Sequence, residues 1–180
     1  MHNIKTVLNI LVIIITILTC CSLFKIDNKY YDNSMINNFN IIKKNNNKEE
    51  IGSIKISKLN INEKLYRIGS EENNVDKHIT ILKESIFPNK ENSIVFIAAH
   101  SGTGEIAYFK DLDKLKPGDI VILELNNKHY TYSVKNYWEE KKNGYINVNK
   151  EESNQLILTT CSPNNMNKQL IVNCIEKESD

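Results

Sequence analysis

Two residues that together could make a thiol nucleophile close short apolar runs of this chain. Cys161 ends the run 155–161, and Pro163 behind it cannot donate a backbone hydrogen bond to a continuing strand. His100 follows a second apolar run, residues 93–99. A free thiol is mostly protonated at neutral pH, so a nucleophilic cysteine needs a histidine or another cation beside it. The pattern predicts a cysteine nucleophile with a histidine as general acid and base.

The remaining histidines and cysteines suit other roles. His78 lies in a polar stretch and His129 in an alternating strand, where an exposed imidazole is expected. Cys174 lies inside the apolar run 169–175, so we expect it in the core. A disulfide between Cys174 and Cys161 would block the nucleophile, and we do not expect one.

Short strands must position the two catalytic candidates. The alternation of apolar and polar residues predicts strands over 51–57, 61–68, 119–125 and 128–139, and the apolar runs predict strands over 93–99, 155–161 and 169–175. Asn126-Asn127 predicts a hairpin turn, and a further short strand is expected at 145–148. Residues 107–115 predict a helical turn, whereas 72–84 fit either a short helix or a strand at 79–81. Seven or eight short strands predict an all-β barrel or sandwich.

The N-terminal part of the chain has a different composition. Residues 7–24 carry no charge and approach the ~20 residues that span a bilayer, so we expect a membrane anchor over 1–25. The alternatives are a cleaved signal peptide and a lipoprotein signal ending at Cys20 or Cys21. Residues 26–50 are rich in Asn and predict a tether, followed by one domain over 51–180. The net charge of +1 argues against a nucleic-acid partner.

Four segments of this domain resemble the sortases, the cysteine transpeptidases of Gram-positive cell surfaces. They are Ile-Ala-Ala-His-Ser-Gly at 97–102, Tyr-Phe-Lys-Asp-Leu at 108–112, Leu-Lys-Pro-Gly-Asp at 115–119 and Leu-Thr-Thr-Cys at 158–161. The resemblance covers roughly 51–176 and is greatest to the class D branch. The family's Thr-Leu-x-Thr-Cys pattern departs only in its first position, Ile157.

The resemblance implies a fold, a location and a reaction. The fold is an eight-stranded β barrel with one or two short helices. The location is the cell membrane, with a single-pass anchor and an extracellular catalytic domain. The reaction cleaves a sorting-signal peptide of the Leu-Pro-x-Thr-Gly kind through a Cys161 thioester, with His100 as acid and base. The acyl group then passes to an amine of a cell-wall precursor or a pilin. Thr160 and Ser101 are the candidate substrate-binding residues.

One family residue is missing from this chain. Sortases resembling it carry a catalytic arginine on the strand after the cysteine, and that position falls here on Gln169, beside Lys168. The chain's single arginine, Arg67, matches no catalytic position. Neighbours on a strand face opposite ways, so only one of the two can point towards the cysteine, and the register favours Gln169. Its amide can donate to an oxyanion, but without a charge.

Two further points stay open on sequence grounds. No cofactor is expected, although the acidic residues Glu139, Glu140, Glu151 and Glu152 resemble the calcium site of some sortases. Their spacing is not that of a ligand loop and favours a solvated face. The missing arginine also permits a catalytically weakened barrel that binds surface peptides, and a cysteine hydrolase that releases its thioester to water is a third hypothesis.

Overall fold

The protein is described by a computed structural model over residues 50–177. These residues form eight strands: β1 (Glu50–Ile56), β2 (Ile61–Tyr66), β3 (Thr80–Ile81), β4 (Ile94–Ala98), β5 (Ile120–Leu125), β6 (Lys128–Lys141), β7 (Gln155–Cys161) and β8 (Lys168–Glu176). One-turn 3₁₀ helices occur at Ser57–Leu59 and Leu112–Lys114. The predicted anchor and the tether before Glu50 lie outside the described residues. Within 50–177, no helix is long and apolar enough to cross a membrane.

The strands form one sheet in the order β2-β1-β5-β6-β8-β7-β4-β3. Its first and last strands, β2 and β3, contact each other, so the sheet curls into a nearly closed barrel. All neighbouring strands are antiparallel except β4 and β7, which run parallel. The predicted all-β, eight-stranded barrel is confirmed. Parallel pairing matters for the site because it brings the carboxyl ends of β4 and β7 to the same rim.

Alternate residues of each strand fill the barrel. Its interior is a continuous apolar cluster that includes Ile97, Leu123, Leu158 and Val172, all at most 1% exposed. Alternation and apolar runs in the sequence thus predicted the strands that enclose this core. Gly52 allows β1 to approach β5 closely, because a side chain there would overlap the backbone carbonyl of Glu124.

The predicted hairpin between β5 and β6 is confirmed. Asn126 and Asn127 both adopt positive φ, 50° and 63°, as a tight two-residue hairpin turn requires. The helical turn expected within 107–115 is present as the 3₁₀ helix at Leu112–Lys114.

Of the two alternatives for 72–84, the structure shows the strand. This segment forms turns and the short strand β3, in which the Asn73 side chain accepts from the Ile81 amide at 2.8 Å and donates to the Ile81 carbonyl at 2.9 Å. The strand predicted at 145–148 needs correction, because this segment is not a strand. Its polar groups bond side chains instead: the Tyr145 carbonyl accepts from Gln169, and the Asn147 amide donates to Glu140.

The connection between β6 and β7, residues 142–154, lies against the outer face of the barrel. Besides the bonds to Tyr145 and Asn147, the Gln155 side chain donates to the Asn149 carbonyl at 3.1 Å. Ile157 and Ile171 belong to buried strands but not to the interior cluster, and both are 0% exposed. These two side chains are thus buried on the outward-facing side of β7 and β8.

Candidate active site

The carboxyl ends of β4 and β7 bring His100 and Cys161 to one rim of the barrel. The parallel ladder pairs Ile94 with Gln155 and continues at a constant offset to Ala98 with Thr159. The same offset, carried two residues further, sets His100 beside Cys161. The residues that the sequence singled out separately are thus neighbours at the end of adjacent parallel strands.

Hydrogen bonds continue up to this rim. The Ala99 amide donates to the Thr159 carbonyl at 3.3 Å, and the Thr160 hydroxyl donates to the Ala99 carbonyl at 2.8 Å. The His100 carbonyl accepts from the Phe109 amide at 3.0 Å. Thr160 is 6% exposed and faces the other side of the strand from Cys161, so its hydroxyl braces the rim. A role of Thr160 in binding substrate stays a prediction. Because its side chain faces away from the thiol, we expect its backbone groups to make that contact.

The imidazole of His100 hydrogen-bonds a carboxylate. Its Nε2 lies 2.9 Å from Oδ1 of Asp76, in the turn segment that precedes β3. The His100 side chain is 38% exposed and that of Asp76 is 75% exposed. A carboxylate on one ring nitrogen orients the ring and fixes which nitrogen carries the proton. Sequence reasoning missed Asp76, because only the folding of 72–78 against the rim brings it to His100.

The thiol of Cys161 is half-buried, unoxidised and in contact with a cation. Nζ of Lys142 lies 3.2 Å from Sγ of Cys161. Within residues 50–177, the hydrogen bonds of the thiol and the imidazole go to Lys142 and Asp76 and not to each other. Hydrogen bonds between catalytic side chains are often long or poorly aligned without substrate, so the lack of a direct bond between the thiol and the imidazole agrees with catalysis. Lys142 is a second residue that the sequence analysis missed.

Gln169 lies directly opposite Cys161 in the antiparallel β7–β8 ladder. Its amide nitrogen donates to Oε1 of Glu140 at 3.0 Å and to the Tyr145 carbonyl at 2.6 Å. Lys168 faces the other side, where its Nζ lies 3.6 Å from Oε2 of Glu139. The register therefore places Gln169, and not Lys168, on the face that carries the thiol. Catalytic roles for both stay predictions.

Glu139 and Glu140 hold the strand ends around the site. The Ser162 hydroxyl donates to Glu139 at 2.5 Å, and this bond and the charge of Lys168 lower the pKa of the Glu139 carboxyl. Burial opposes ionisation of Glu140, but hydrogen bonds from Asn147 and then Gln169 outweigh it and lower its pKa.

Three of the four glutamates considered for calcium have separate partners. Glu139 and Glu140 bond the groups just described, and Glu151 pairs with Lys135 at 2.6 Å. Among residues 50–177, no group of three or more His, Cys, Asp or Glu side chains is placed to hold a metal ion. Whether the reaction needs a cofactor stays a prediction.

Other cysteine and serine predictions can also be placed. Cys174 is 0% exposed in the barrel core, where burial raises the pKa of its thiol to about 12. Cys161 and Cys174 are both free, as expected. Ser101 follows His100 in the loop beyond β4 and is half-buried, and its contact with substrate stays a prediction.

A groove of about 300 Å³ lies on the same outer face as the thiol. It is lined by Leu82, Glu84, Phe96, Gly144, Tyr145 and Ile146. Phe96 is two ladder positions before Ala98 on β4, and the Tyr145 carbonyl is bonded to Gln169, opposite Cys161. The groove thus connects to the rim through the β6–β7 connection, and its lining is mainly apolar.

Comparison with known proteins agrees with this geometry. The family model for the sortase domain matches residues 54–176. Sortase C1 from Streptococcus agalactiae is 28% identical, covering 73% of this chain and 69% of that chain with a TM-score of 0.62. Sortase C from Streptococcus pneumoniae is 27% identical, covering 73% and 68% with a TM-score of 0.64. Sortase A from Corynebacterium diphtheriae, a lid mutant, shares the fold at 20% identity and a TM-score of 0.64, covering 74% and 73%.

No curated protein matches the chain. The similar structures named above are class C and class A enzymes, so the expected likeness to class D stays a prediction. The family match nevertheless spans every strand from β2 to β8 and includes both rim residues. This chain therefore belongs to the sortase family, a family of cysteine transpeptidases.

Proposed function

We propose that this sortase cleaves sorting-signal peptides of surface proteins and transfers them to an amine of a cell-wall precursor or a pilin. The observation that carries the proposal is the shared rim position of His100 and Cys161 on two parallel strands within the matched domain. The apolar groove suits the Leu and Pro of an extended Leu-Pro-x-Thr-Gly-like signal. Pilin substrate specificity has been described for the similar sortase C from Streptococcus pneumoniae, which supports a pilin as one acceptor class.

The reaction proceeds in two half-reactions. The Cys161 thiol gives its proton to His100, and the thiolate attacks the peptide carbonyl carbon, forming a C–S bond and an oxyanion. The oxyanion collapses, the C–N bond breaks, and His100 returns the proton to the leaving amine. An acceptor amine then attacks the thioester, loses its proton to His100 and forms the new amide as the C–S bond breaks. No cofactor takes part in these steps.

The proposal includes a location. The uncharged segment 7–24 supports a single-pass anchor in the cell membrane, with the catalytic domain on the extracellular side, where sorting signals are presented. Protease added to intact cells should remove the domain but leave the N-terminal end of the chain protected.

Mass spectrometry of the full chain after incubation with sorting peptides tests the reaction. We expect an acyl adduct on Cys161 that is absent in Cys161→Ala and slower to form in His100→Ala. Triglycine or a lysine-containing pilin peptide should then give a transfer product, unaffected by EDTA. Release of free acid alone would favour the cysteine hydrolase.

One observation supports the alternative of a catalytically weakened barrel that binds surface peptides. Gln169 stands where the family has a catalytic arginine, and both of its amide hydrogens are donated within the fold. Peptide binding without any Cys161 adduct would favour a barrel that binds surface peptides over an active transpeptidase.

A further inference from the structure

The site lacks a free donor at the position of the family arginine. A primary amide nitrogen carries two hydrogens, and Gln169 donates them to Glu140 and to the Tyr145 carbonyl. To reach an oxyanion it would have to give up a bond that holds the β6–β7 connection. The charge and the hydrogen bonds that the transition state requires must come from another group.

Lys142 is placed to supply them. It directly follows β6, and its backbone amide donates to the Asn167 carbonyl at 2.9 Å, which fixes the strand end. Alternation along β6 sets it on the same side as Glu140, which pairs with Gln169 and so shares the face of Cys161. The placement thus follows from the ladder register as well as from the side-chain contact.

The ammonium of Lys142 has donors to spare. It has three hydrogens, and among residues 50–177 its hydrogen-bond partner is Sγ of Cys161, at 3.2 Å. In the tetrahedral intermediate, one C–S bond and one C–O bond join the sulfur to the oxyanion. A second hydrogen of the Lys142 ammonium therefore reaches this oxygen. The same contact can therefore stabilise the thiolate before attack and the oxyanion after it.

We propose that Lys142 is a catalytic residue of this enzyme and supplies the positive charge that Gln169 does not. The inference rests on the proposed acyl transfer. In the first half-reaction the Lys142 ammonium hydrogen-bonds the thiolate and then the oxyanion. It keeps its three protons throughout, while His100 moves the proton to and from the amine.

Several charged groups surround the thiol. Glu140 lies near the end of β6 and Lys142 directly follows that strand, and His100 follows β4 with its imidazole bonded to Asp76. Gln169 on β8 is neutral. The Glu140 carboxylate is hydrogen-bonded to Asn147 and Gln169. Among the described residues, Lys142 is the cation in contact with the sulfur.

The first test measures the thiolate without any peptide. The full chain is treated with iodoacetamide at neutral pH, and alkylation of Cys161 is followed by mass spectrometry of its peptide. Lys142→Met should slow alkylation roughly tenfold, whereas Lys142→Arg should retain the wild-type rate. Lys141→Met is the matched control, because the Lys141 side chain faces the opposite side of the sheet from Lys142. Lys141 lies opposite Lys168 in the β6–β8 ladder.

The second test measures the oxyanion. The rate of Cys161 acylation by a sorting peptide is divided by the alkylation rate at the same pH, which removes differences in thiolate fraction. We expect this ratio to fall at least roughly tenfold in Lys142→Met and to be retained in Lys142→Arg. Far-UV circular dichroism of each variant checks that the barrel is folded.

The outcomes separate this inference from the proposed function. An unchanged alkylation rate in Lys142→Met, or an equal slowing in Lys141→Met, overturns the thiolate role, and an unchanged ratio overturns the oxyanion role. An acyl group found on Lys142 itself would show that it acts as an amine nucleophile instead. If alkylation of the wild type depends on Lys142 but no sorting peptide acylates Cys161, the proposed function fails while the thiolate contact stands.

Discussion

Cys161 and Gln169 are directly opposite partners in the β7–β8 ladder, and both lie on the outer face of the barrel. The amide of Gln169 nevertheless turns to Glu140 and the Tyr145 carbonyl. The residue at the family's arginine position therefore holds the β6–β7 connection beside the thiol. This connection also forms one wall of the apolar groove.

Gln169→Ala should impair turnover of a sorting peptide more than Lys168→Ala. The bond to the Tyr145 carbonyl in the connection and the bond to Glu140 at the end of β6 are lost, so we expect kcat/KM to fall about tenfold, mainly through KM. Lys168→Ala removes only an exposed ion pair at 3.6 Å and should change kcat/KM less than about threefold. Steady-state kinetics of the two variants checks this order. The reverse order would show that Lys168 serves the site.

A methanethiosulfonate reagent should modify Cys161 and spare Cys174 in the native protein. Cys161 is half-buried at the rim, whereas Cys174 is 0% exposed and burial raises its pKa to about 12. We expect His100→Ala to slow modification of Cys161. Mass spectrometry of the two cysteine-containing peptides measures both sites, and denatured protein, in which both should react, is the control. If native Cys161 is inert, the enzyme hypothesis must be dropped.

Asp76→Asn should slow acylation of Cys161 by disturbing the ring of His100. The bond from the His100 imidazole to the Asp76 carboxylate is 2.9 Å long, but the carboxylate is 75% exposed, so we expect a loss of roughly threefold to tenfold in kcat with KM nearly unchanged. Asp76 acts through His100 and is a positioning residue. The pH profile of kcat distinguishes this role from a structural one, since only a change at the imidazole should move its midpoint. Asp113→Asn, on the exposed 3₁₀ helix, is the matched control.

Acid should weaken the attachment of the β6–β7 connection through Glu140. The folded protein lowers the pKa of this carboxyl below its ordinary 4.5, so ionised Glu140 favours the fold. The stability that ionised Glu140 contributes is complete above its ordinary pKa. It is lost as the pH falls through the lower pKa of the folded protein. Lowering the pH from 6 to acidic values should reduce the free energy of unfolding less in Glu140→Gln than in the wild type, by roughly 0.5 kcal/mol. Urea unfolding at the two pH values measures this difference. Glu91→Gln should behave like the wild type.

Tyr132→Phe should leave the barrel as stable as before or stabilise it. Tyr132 is 0% exposed, and its hydroxyl has no hydrogen-bond partner among the described residues. An unpaired buried hydroxyl costs about 1 to 3 kcal/mol, and the phenyl ring keeps the packing. Urea unfolding measures the difference, with the half-buried Tyr130→Phe as control. A loss above about 1 kcal/mol would show that the hydroxyl has a partner.

Local patterns were sufficient to predict most of the fold. Alternation and apolar runs predicted the long strands, the apolar run 169–175 predicted the burial of Cys174, and Asn126-Asn127 predicted the hairpin. The sequence did not decide between a helix and a strand for 72–84, where the side chain of Asn73 takes the backbone bonds of Ile81 in the strand. Such a bond joins residues that no periodicity relates.

The sequence by itself determined that Cys161 and His100 end two buried strands, because apolar runs and the residues that stop them are local features. Only the tertiary structure decided what stands beside them. Lys142 reaches the thiol because β8 lies between β6 and β7 and the end of β6 extends to the rim. Asp76 reaches the imidazole because a turn segment folds back to β4. These contacts depend on the order and register of strands distant in sequence, which no local pattern encodes.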